Sequence, residues 1–233
     1  MQLRSLEARI EDAFGLVLLL VLATYVMASL IPFKGWGAVA TIVVGSFSAT
    51  VALASARARP RLVTWARRFA LATVLVAVAG AVADSPKVIA VAAVMQALLF
   101  TVGALAVLRA VIAEERVGFR TVLGAVSVYI TLGLLFGFLY VFVDRMQGPF
   151  FGDSVSVKTG DFLFFSMTTL TTTGYGNLVP AAQPGKMFAV IEMLMGQIFL
   201  VTLIARLVSQ WSPGEWLRGG AGIAEPERDR GPS

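Results

Sequence analysis

The chain has 233 residues, of which 58% are hydrophobic and only 14% are charged. Soluble domains contain ~45–50% apolar and ~25% charged residues, so this composition excludes an ordinary soluble domain and predicts a membrane protein. The chain contains no Cys and no His, which excludes disulfides, thiolate metal sites and histidine-dependent catalysis. The net charge of +5 is carried largely by basic residues at the ends of hydrophobic segments, a pattern that indicates membrane topology rather than nucleic-acid binding.

Six hydrophobic segments are predicted to cross the membrane as helices. Most of them reach the ~20 residues that a spanning helix needs. The third segment is short and rich in Ala, and its helix is expected to start as early as Trp65. The first segment does not resemble a removable signal peptide, because acidic and basic residues are mixed before it. The six segments are Ala13–Ile31, Gly35–Ser55, Phe69–Ala83, Val88–Leu108, Val122–Val143 and Met187–Ile204.

The distribution of Lys and Arg predicts the orientation of the chain. With both termini in the cytoplasm, 14 of the 19 basic residues lie on the cytoplasmic side. We therefore predict a multi-pass protein of the cell membrane, with the N-terminus and the C-terminus inside. The Ala-, Val- and Arg-rich composition favours a bacterial plasma membrane. Residues 1–12 are predicted to be cytoplasmic or interfacial, and residues 209–233 to form a disordered cytoplasmic tail.

The first four segments, residues 13–113, are predicted to form a peripheral four-span domain. A voltage sensor needs several basic residues in its fourth span, because each charge gains ~2.3 kcal/mol per 100 mV. Val88–Leu108 contains none, and Arg109 stands at its inner end. Steep voltage gating is therefore not expected. The basic cluster between Arg57 and Arg68 is either a topology determinant or a contact for anionic lipid headgroups.

The connection between the last two segments is predicted to re-enter the membrane. Asp161–Leu170 is apolar, and ten helical residues reach ~15 Å, about half of the hydrocarbon thickness. The following residues, Thr171–Asn177, contain two glycines that permit unusual backbone conformations. Such a hairpin is tolerated at membrane depth only where protein buries it or where it lines a water-filled path.

Thr172-Thr173-Gly174-Tyr175-Gly176 resembles the T-x-G-Y-G selectivity filter of potassium channels. The short helix before it, Asn177–Pro180 after it and Gly185-Lys-Met-Phe at the start of the last helix also resemble the pore module of that superfamily. The resemblance implies an all-α membrane protein with six transmembrane helices, a re-entrant pore helix and a homotetrameric assembly. It places the pore module at residues 114–208.

The resemblance also implies the ion-binding residues. Potassium would be bound by the backbone carbonyls of Thr172, Thr173, Gly174 and Tyr175, and by the Thr172 hydroxyl at the inner end. Gly174 and Gly176 would permit the alternating backbone, and the Tyr175 side chain would point away from the ions. Potassium is then the permeant ion, and no cofactor is expected.

Three departures from the family pattern are expected to affect filter stability and inactivation more than potassium preference. Asn177 stands where many members have Asp. Phe164 and Phe165 stand where many members have a Trp pair, and Thr168 stands where some members have Glu.

The last segment contains the candidate gating residues. By resemblance Gly196 is a hinge, although close packing of helices explains a small residue equally well. Glu192 is interpreted as a partner of hydroxyl groups such as those of Thr168 or Thr169, or else as a pH sensor. The inner pore would be lined by Gln197, Leu200 and Ile204. Arg206 is interpreted only as a marker of the cytoplasmic interface, and the pair Gly133 and Gly137 as a helix-packing motif.

These observations predict passive, selective potassium conduction. The alternative is a nonselective monovalent cation channel of the same architecture, although such relatives usually lack the tyrosine that this chain keeps as Tyr175. A potassium transporter subunit would need four pore loops in one chain. An enzyme is not expected: an intramembrane protease would need paired aspartates, a Ser–His pair or a metal site, and Asp84, Asp144, Asp153 and Asp161 fall outside the predicted spans. The predicted partners are copies of the chain and membrane lipids, with no nucleic acid and no soluble partner.

Overall fold

A computed structural model of the chain describes residues 14–114, 118–152 and 157–209. The described parts are helical apart from short connections. The predictions for residues 1–12, for the tail beyond Ser209 and for Asp153 lie outside the described residues. The helices are α1 (Phe14–Leu30), α2 (Gly35–Ser55), α3 (Pro60–Val82), α4 (Pro86–Ala113), α5 (Phe119–Gln147), α6 (Thr159–Leu170) and α7 (Gly185–Ser209).

Five of these helices, α2, α3, α4, α5 and α7, are long and apolar enough to cross a membrane. The first helix, α1, is apolar but has only 17 residues, which corresponds to a length of ~25 Å. The chain is therefore a multi-pass membrane protein built from α-helices.

The third helix differs from the sequence-based prediction. It begins at Pro60, well before Phe69 and Trp65, and has 23 residues rather than the shorter predicted span. Pro60 occupies the first turn of the helix, where a missing N–H group costs nothing. The basic residues Arg61, Arg67 and Arg68 therefore lie on the helix itself. Because these charges interrupt the apolar run, the hydrophobic pattern does not indicate the first turns of the helix.

The first four helices form a bundle that packs on the fifth helix of the same chain. Contacts join α2 to α1, α3 and α4, while both α1 and α4 lie against α5. Small residues permit this close packing: Gly103 of α4 lies next to Ala49 of α2, and Ala92 and Ala93 of α4 are fully buried.

The short helix α6 lies between α5 and α7, and its first turn also contacts α1. The Phe33 N–H group donates a hydrogen bond of 2.9 Å to the Thr159 hydroxyl, which joins the loop after α1 to the start of α6. Gly160 lies against the Ser29 carbonyl, where a larger residue would collide. The Asp161 carboxylate accepts a hydrogen bond of 2.6 Å from the Lys158 N–H group and so caps the first turn. The first turn of α6 is therefore held by α1, by the loop after α1 and by its own cap.

Candidate functional site

The chain leaves α6 through a tight turn that leads directly into Thr172–Gly176, called here the TTGYG segment. The Thr168 carbonyl accepts hydrogen bonds from the N–H groups of Thr173 at 2.8 Å and Gly174 at 3.1 Å. These bonds satisfy a carbonyl that the end of the helix would otherwise leave unpaired. Thr168 therefore fixes the start of the TTGYG segment through its main chain, while its hydroxyl donates to the Phe165 carbonyl within α6.

The backbone of the TTGYG segment alternates in handedness. Thr172, Gly174 and Gly176 have φ angles of 57°, 51° and 77°, and the residues between them do not have positive φ. Glycine adopts this conformation without steric cost, whereas threonine does so at a cost of about 1–3 kcal/mol, which is typical of functional sites. Positive φ therefore recurs at every second residue of the segment, at Thr172, Gly174 and Gly176.

The inner end of the TTGYG segment contacts the last helix. The Gln197 side-chain amide donates a hydrogen bond of 3.1 Å to the Thr172 hydroxyl, and this hydroxyl donates to the Thr171 carbonyl at 2.7 Å. Two of the predicted site residues are therefore brought together by the fold. The other predicted inner-pore residues lie further along α7, where Leu200 is half-buried and Ile204 is exposed.

The aromatic ring of Tyr175 stacks on the ring of Phe164. The ring centroids are 5.7 Å apart and the planes are inclined by only 7°. Both rings are accessible in the single chain, as are Asn177 and the rest of the TTGYG segment. Phe164 therefore supports Tyr175 through a stacking contact, which is worth about 0.5–1.5 kcal/mol.

Phe165 instead belongs to a buried aromatic cluster. Its ring lies 5.2 Å from that of Tyr140 in α5, and within 6 Å of the rings of Phe150 and Phe151 in the loop after α5. The Phe150 carbonyl also accepts a hydrogen bond of 2.9 Å from the Ala181 N–H group, which joins this loop to the chain beyond the TTGYG segment. Sequence reasoning missed Phe150 and Phe151, although two adjacent aromatics in a polar loop were a usable signal.

Glycines of α5 allow α6 to approach closely. A Cβ atom on Gly133 would collide with the Met167 side chain, and one on Gly137 would collide with that of Leu163. Gly133 and Gly137 are four residues apart on α5, and Leu163 and Met167 are four residues apart on α6. Both contacts therefore lie on one face of each helix. The expected packing role of these glycines is therefore correct, and its partner is α6.

Gly196 lies where α7 crosses the end of α6. A Cβ atom at this position would collide with the Leu170 carbonyl oxygen. The same carbonyl accepts a hydrogen bond of 3.0 Å from the Tyr129 hydroxyl of α5. The Tyr129 ring in turn stacks on Phe199 of α7, with centroids 5.7 Å apart. Close approach of two backbones is thus a sufficient reason for glycine here, and the hinge stays a prediction.

Glu192 does not contact the hydroxyl groups that the sequence suggested. The expected partners, Thr168 and Thr169, are wrong: the Glu192 carboxyl group is hydrogen-bonded to Ser166 through Oε1 and to the Tyr140 hydroxyl through Oε2, the latter at 2.6 Å. Ser166 lies on the face of α6 that is turned to both α5 and α7, whereas Thr168 is turned away by its position on the helix.

Arg206 does more than mark the membrane interface. Its guanidinium group donates hydrogen bonds to the carbonyls of Val111 at 2.8 Å, Ile112 at 3.0 Å and Glu114 at 2.6 Å. These carbonyls lie at the end of α4, where backbone acceptors have no partner within the helix and the helix dipole favours a cation. The last turns of α7 are therefore tied to the four-helix bundle. A single arginine at a membrane boundary gave no sequence signal for this contact.

Part of the chain is similar to known ion channels. Residues 125–212 match a family model described as ion channel. A voltage-gated potassium channel of Aeropyrum pernix is 33% identical over 98 residues, which cover 42% of this chain and 30% of that protein. Two pore potassium channel b of Oryza sativa subsp. japonica is 31% identical over 91 residues, covering 39% of this chain and 24% of that protein.

A shorter match extends to the human voltage-gated delayed rectifier potassium channel KCNH5, which is 38% identical over 57 residues, 24% of this chain and 6% of that protein. Residues 125–212 are thus similar to an ion channel family, and the relatives named here are potassium channels. This is a family of ion channels and not of enzymes. The matched part of the chain spans no more than 30% of any of these three relatives. No solved structure gives a significant match.

Proposed function

We propose that the chain is a subunit of a potassium-selective channel that conducts the ion passively down its electrochemical gradient. The observation that carries this proposal is the alternating backbone of the TTGYG segment, with positive φ at Thr172, Gly174 and Gly176. The names of the relatives, all of them potassium channels, support the same conclusion.

The chemistry of the segment suits a dehydrated potassium ion. An ion that enters a narrow pore loses its water, and backbone carbonyls replace the lost ligands. In the proposed filter these are the carbonyls of Thr172, Thr173, Gly174 and Tyr175, and the Thr172 hydroxyl completes the inner ring. The short helix α6 acts as the pore helix, and its C-terminal end carries a partial negative charge that stabilises a cation in the cavity.

A homotetramer is proposed because one chain offers only one side of a pore. The TTGYG segment is exposed in the single chain, and so are large apolar residues of α7 such as Ile198, Val201 and Ile204, at 65%, 64% and 57%. An apolar surface of this kind beside a filter fits contacts with other subunits and with the cavity. Four copies would place four sets of carbonyls around one axis.

The proposed arrangement in the membrane has six spans, with α1 as the shortest and α6 as a re-entrant helix. Both termini lie in the cytoplasm, and the TTGYG segment opens to the outside. The bundle α1–α4 is a peripheral domain without steep voltage sensitivity, since Lys87 and Arg109 are the basic residues of α4 and lie near its two ends.

The test is a bi-ionic reversal potential on the purified full-length chain in planar bilayers, with potassium on one side and sodium on the other. We expect a reversal strongly biased towards potassium in the parent chain and in Gly118→Ala. This control adds a methyl group at a site where, among the described residues outside its own chain neighbours, no atom lies within 4 Å. In Gly174→Ala the bias should be lost, because the left-handed φ strains any side chain at this position.

A nonselective monovalent cation channel is the alternative outcome. It would give a reversal potential near zero in the parent chain. If Asn177→Asp then restored the bias towards potassium, the loss of selectivity would be assigned to Asn177 at the outer end of the proposed filter. A chain that forms tetramers and conducts neither ion at any voltage or pH would contradict the proposed function.

A further inference from the structure

A buried carboxyl group connects the three helices that carry the proposed filter. Glu192 of α7 is 0% exposed. Its Oε2 accepts a hydrogen bond of 2.6 Å from the Tyr140 hydroxyl of α5, and its Oε1 is in hydrogen-bond contact with the Ser166 hydroxyl of α6. The same Ser166 hydroxyl lies 2.7 Å from the Gly133 carbonyl oxygen of α5. The contacts therefore form one continuous hydrogen-bond network, from Tyr140 through Glu192 and Ser166 to Gly133.

The number of protons available to this hydrogen-bond network depends on whether the Glu192 carboxyl group is protonated. The Tyr140 hydroxyl has one proton, which lies towards Oε2. The Ser166 hydroxyl also has one proton, and the Gly133 carbonyl can only accept. If Glu192 is ionised, Ser166 can donate either to Gly133 or to Glu192, and the other short oxygen–oxygen contact is left without a proton.

A proton on Oε1 removes this conflict. Glu192 then donates to Ser166, Ser166 donates to Gly133, and Tyr140 donates to Oε2, so that each contact contains one proton. A protonated carboxyl group can do both, because its O–H group donates at Oε1 while Oε2 still accepts. Each of these four groups then has a hydrogen-bond partner, which matters because a buried polar group without one is costly.

The surroundings of Glu192 favour the neutral form as well. The titratable groups that face it are Tyr140 and Tyr129 of α5, and Tyr129 donates its own proton to the Leu170 carbonyl. The facing group of α6 is the Ser166 hydroxyl. Within the described ranges, Glu192 has no ion pair with a Lys or Arg side chain. Burying an ionised carboxylate without a cation is strongly unfavourable, and this favours the protonated form of such a group.

We infer that Glu192 is a neutral carboxylic acid that positions the pore helix α6 between α5 and α7 by donating its proton to Ser166 and accepting one from Tyr140. The inference rests on the proposed function, since α6 leads directly into the TTGYG segment. Glu192 is thus a positioning residue: it acts on the filter through Ser166 and touches no permeant ion.

Variants of Glu192 distinguish a role of the neutral carboxylic acid from a role that requires its negative charge. Glu192→Gln keeps both contacts without a charge, because its amide NH₂ group donates to Ser166 and its carbonyl accepts from Tyr140. Glu192→Met is of similar length and can form neither bond. We expect Glu192→Gln to keep the parent selectivity and open probability. Glu192→Met and Ser166→Ala each lose two buried hydrogen bonds, and each should lower the selective current at least tenfold.

Infrared spectroscopy tests the protonation state without any current. Purified full-length chain at neutral pH should show the carbonyl stretch of a protonated carboxylic acid, because solvent-exposed carboxyl groups are ionised at this pH. This band should be absent from Glu192→Gln and shifted in Tyr140→Phe, which keeps the ring and removes one hydrogen bond. A parent chain without the band overturns the inference, whatever its conduction.

The pH profile of the current supplies the second measurement. Since Glu192 is already protonated, the parent chain and Glu192→Gln should share one profile from acid to neutral pH. A dependence present in the parent and absent from Glu192→Gln would mean that Glu192 titrates, and would overturn the inference. So would a loss of current in Glu192→Gln as large as in Glu192→Met. The proposed function fails separately, by the reversal potential of the parent chain.

Discussion

The side-chain amide of Gln197 lies 3.1 Å from the Thr172 hydroxyl and donates a hydrogen bond to it. Residues 25 positions apart in the chain thus meet at the inner end of the proposed filter. The hydroxyl that would complete the innermost ion site is therefore oriented by the last helix, which is also the helix expected to move in gating. A movement of α7 at this level would change the inner ring directly.

Removing this hydrogen bond should weaken the innermost ion site. We expect Thr172→Val, which has the same shape without the hydroxyl, to lower single-channel potassium conductance, and Gln197→Leu to do so by a smaller factor. The double variant should conduct no worse than Thr172→Val, because both changes act through one bond. Thr172→Ser is the matched control and should conduct like the parent chain. Strictly additive losses in the double variant would show that the two residues act separately.

Gly196→Ala should destabilise the protein through a collision with the Leu170 carbonyl. Overpacking of this kind costs about 1–3 kcal/mol, and it should appear as a lower unfolding temperature. The hinge interpretation instead expects parent stability with altered open probability. Gly118→Ala, whose added methyl group lies in open space as far as the structure describes the chain, is the control and should leave both quantities unchanged.

The stack of Phe164 on Tyr175 should stabilise the conducting form of the filter. Phe164→Leu removes a contact worth about 0.5–1.5 kcal/mol, so current during sustained activation should decay faster. Tyr175→Phe keeps the ring and should keep the parent rate of decay. Phe47→Leu alters an exposed ring on α2 and is the control. Equal decay in Phe164→Leu and the parent chain would remove any role for the stack.

Arg206 should hold the inner end of α7 against α4. Arg206→Gln loses three charge-assisted hydrogen bonds to the end of α4, of which the part-buried bond to the Val111 carbonyl is worth about 1.5–3 kcal/mol. We expect a lower unfolding temperature and a broader distribution of distances between spin labels at positions Ile112 and Val208. The labels can be attached to cysteines introduced at these two positions, because the chain contains no Cys of its own.

Arg145→Gln is the matched control for this experiment. Arg145 forms a partly exposed ion pair with Asp144 at 3.7 Å, and such a pair contributes about 0–1 kcal/mol. A loss in Arg206→Gln no larger than in Arg145→Gln would contradict the attachment of α7 to α4.

The conductance–voltage relation should be shallow, because α4 carries only Lys87 and Arg109, near its ends. Steep relations need several charges that cross the field together, each worth ~2.3 kcal/mol per 100 mV. Arg109→Gln should therefore leave the slope unchanged. A steep relation in the parent chain that flattens in this variant would assign voltage sensing to Arg109.

The sequence by itself determined the features that depend on neighbouring residues. Apolar runs of sufficient length indicate membrane helices whatever they pack against, and the positions of Gly174 and Gly176 within the TTGYG segment predicted an unusual backbone because only glycine adopts positive φ freely. The start of α3 at Pro60 was the exception, since charged residues in its first turns concealed it.

Only the tertiary structure decided which distant residues meet. Ser166 rather than Thr168 faces Glu192 because the rotation of α6 is set by its packing on Gly133 and Gly137 of α5. Arg206 reaches the end of α4, 95 residues earlier at Val111, because the four-helix bundle lies beside the last helix. Side-chain contacts of this kind depend on the relative rotation and depth of packed helices, and a pattern of residue types along one helix does not contain that information.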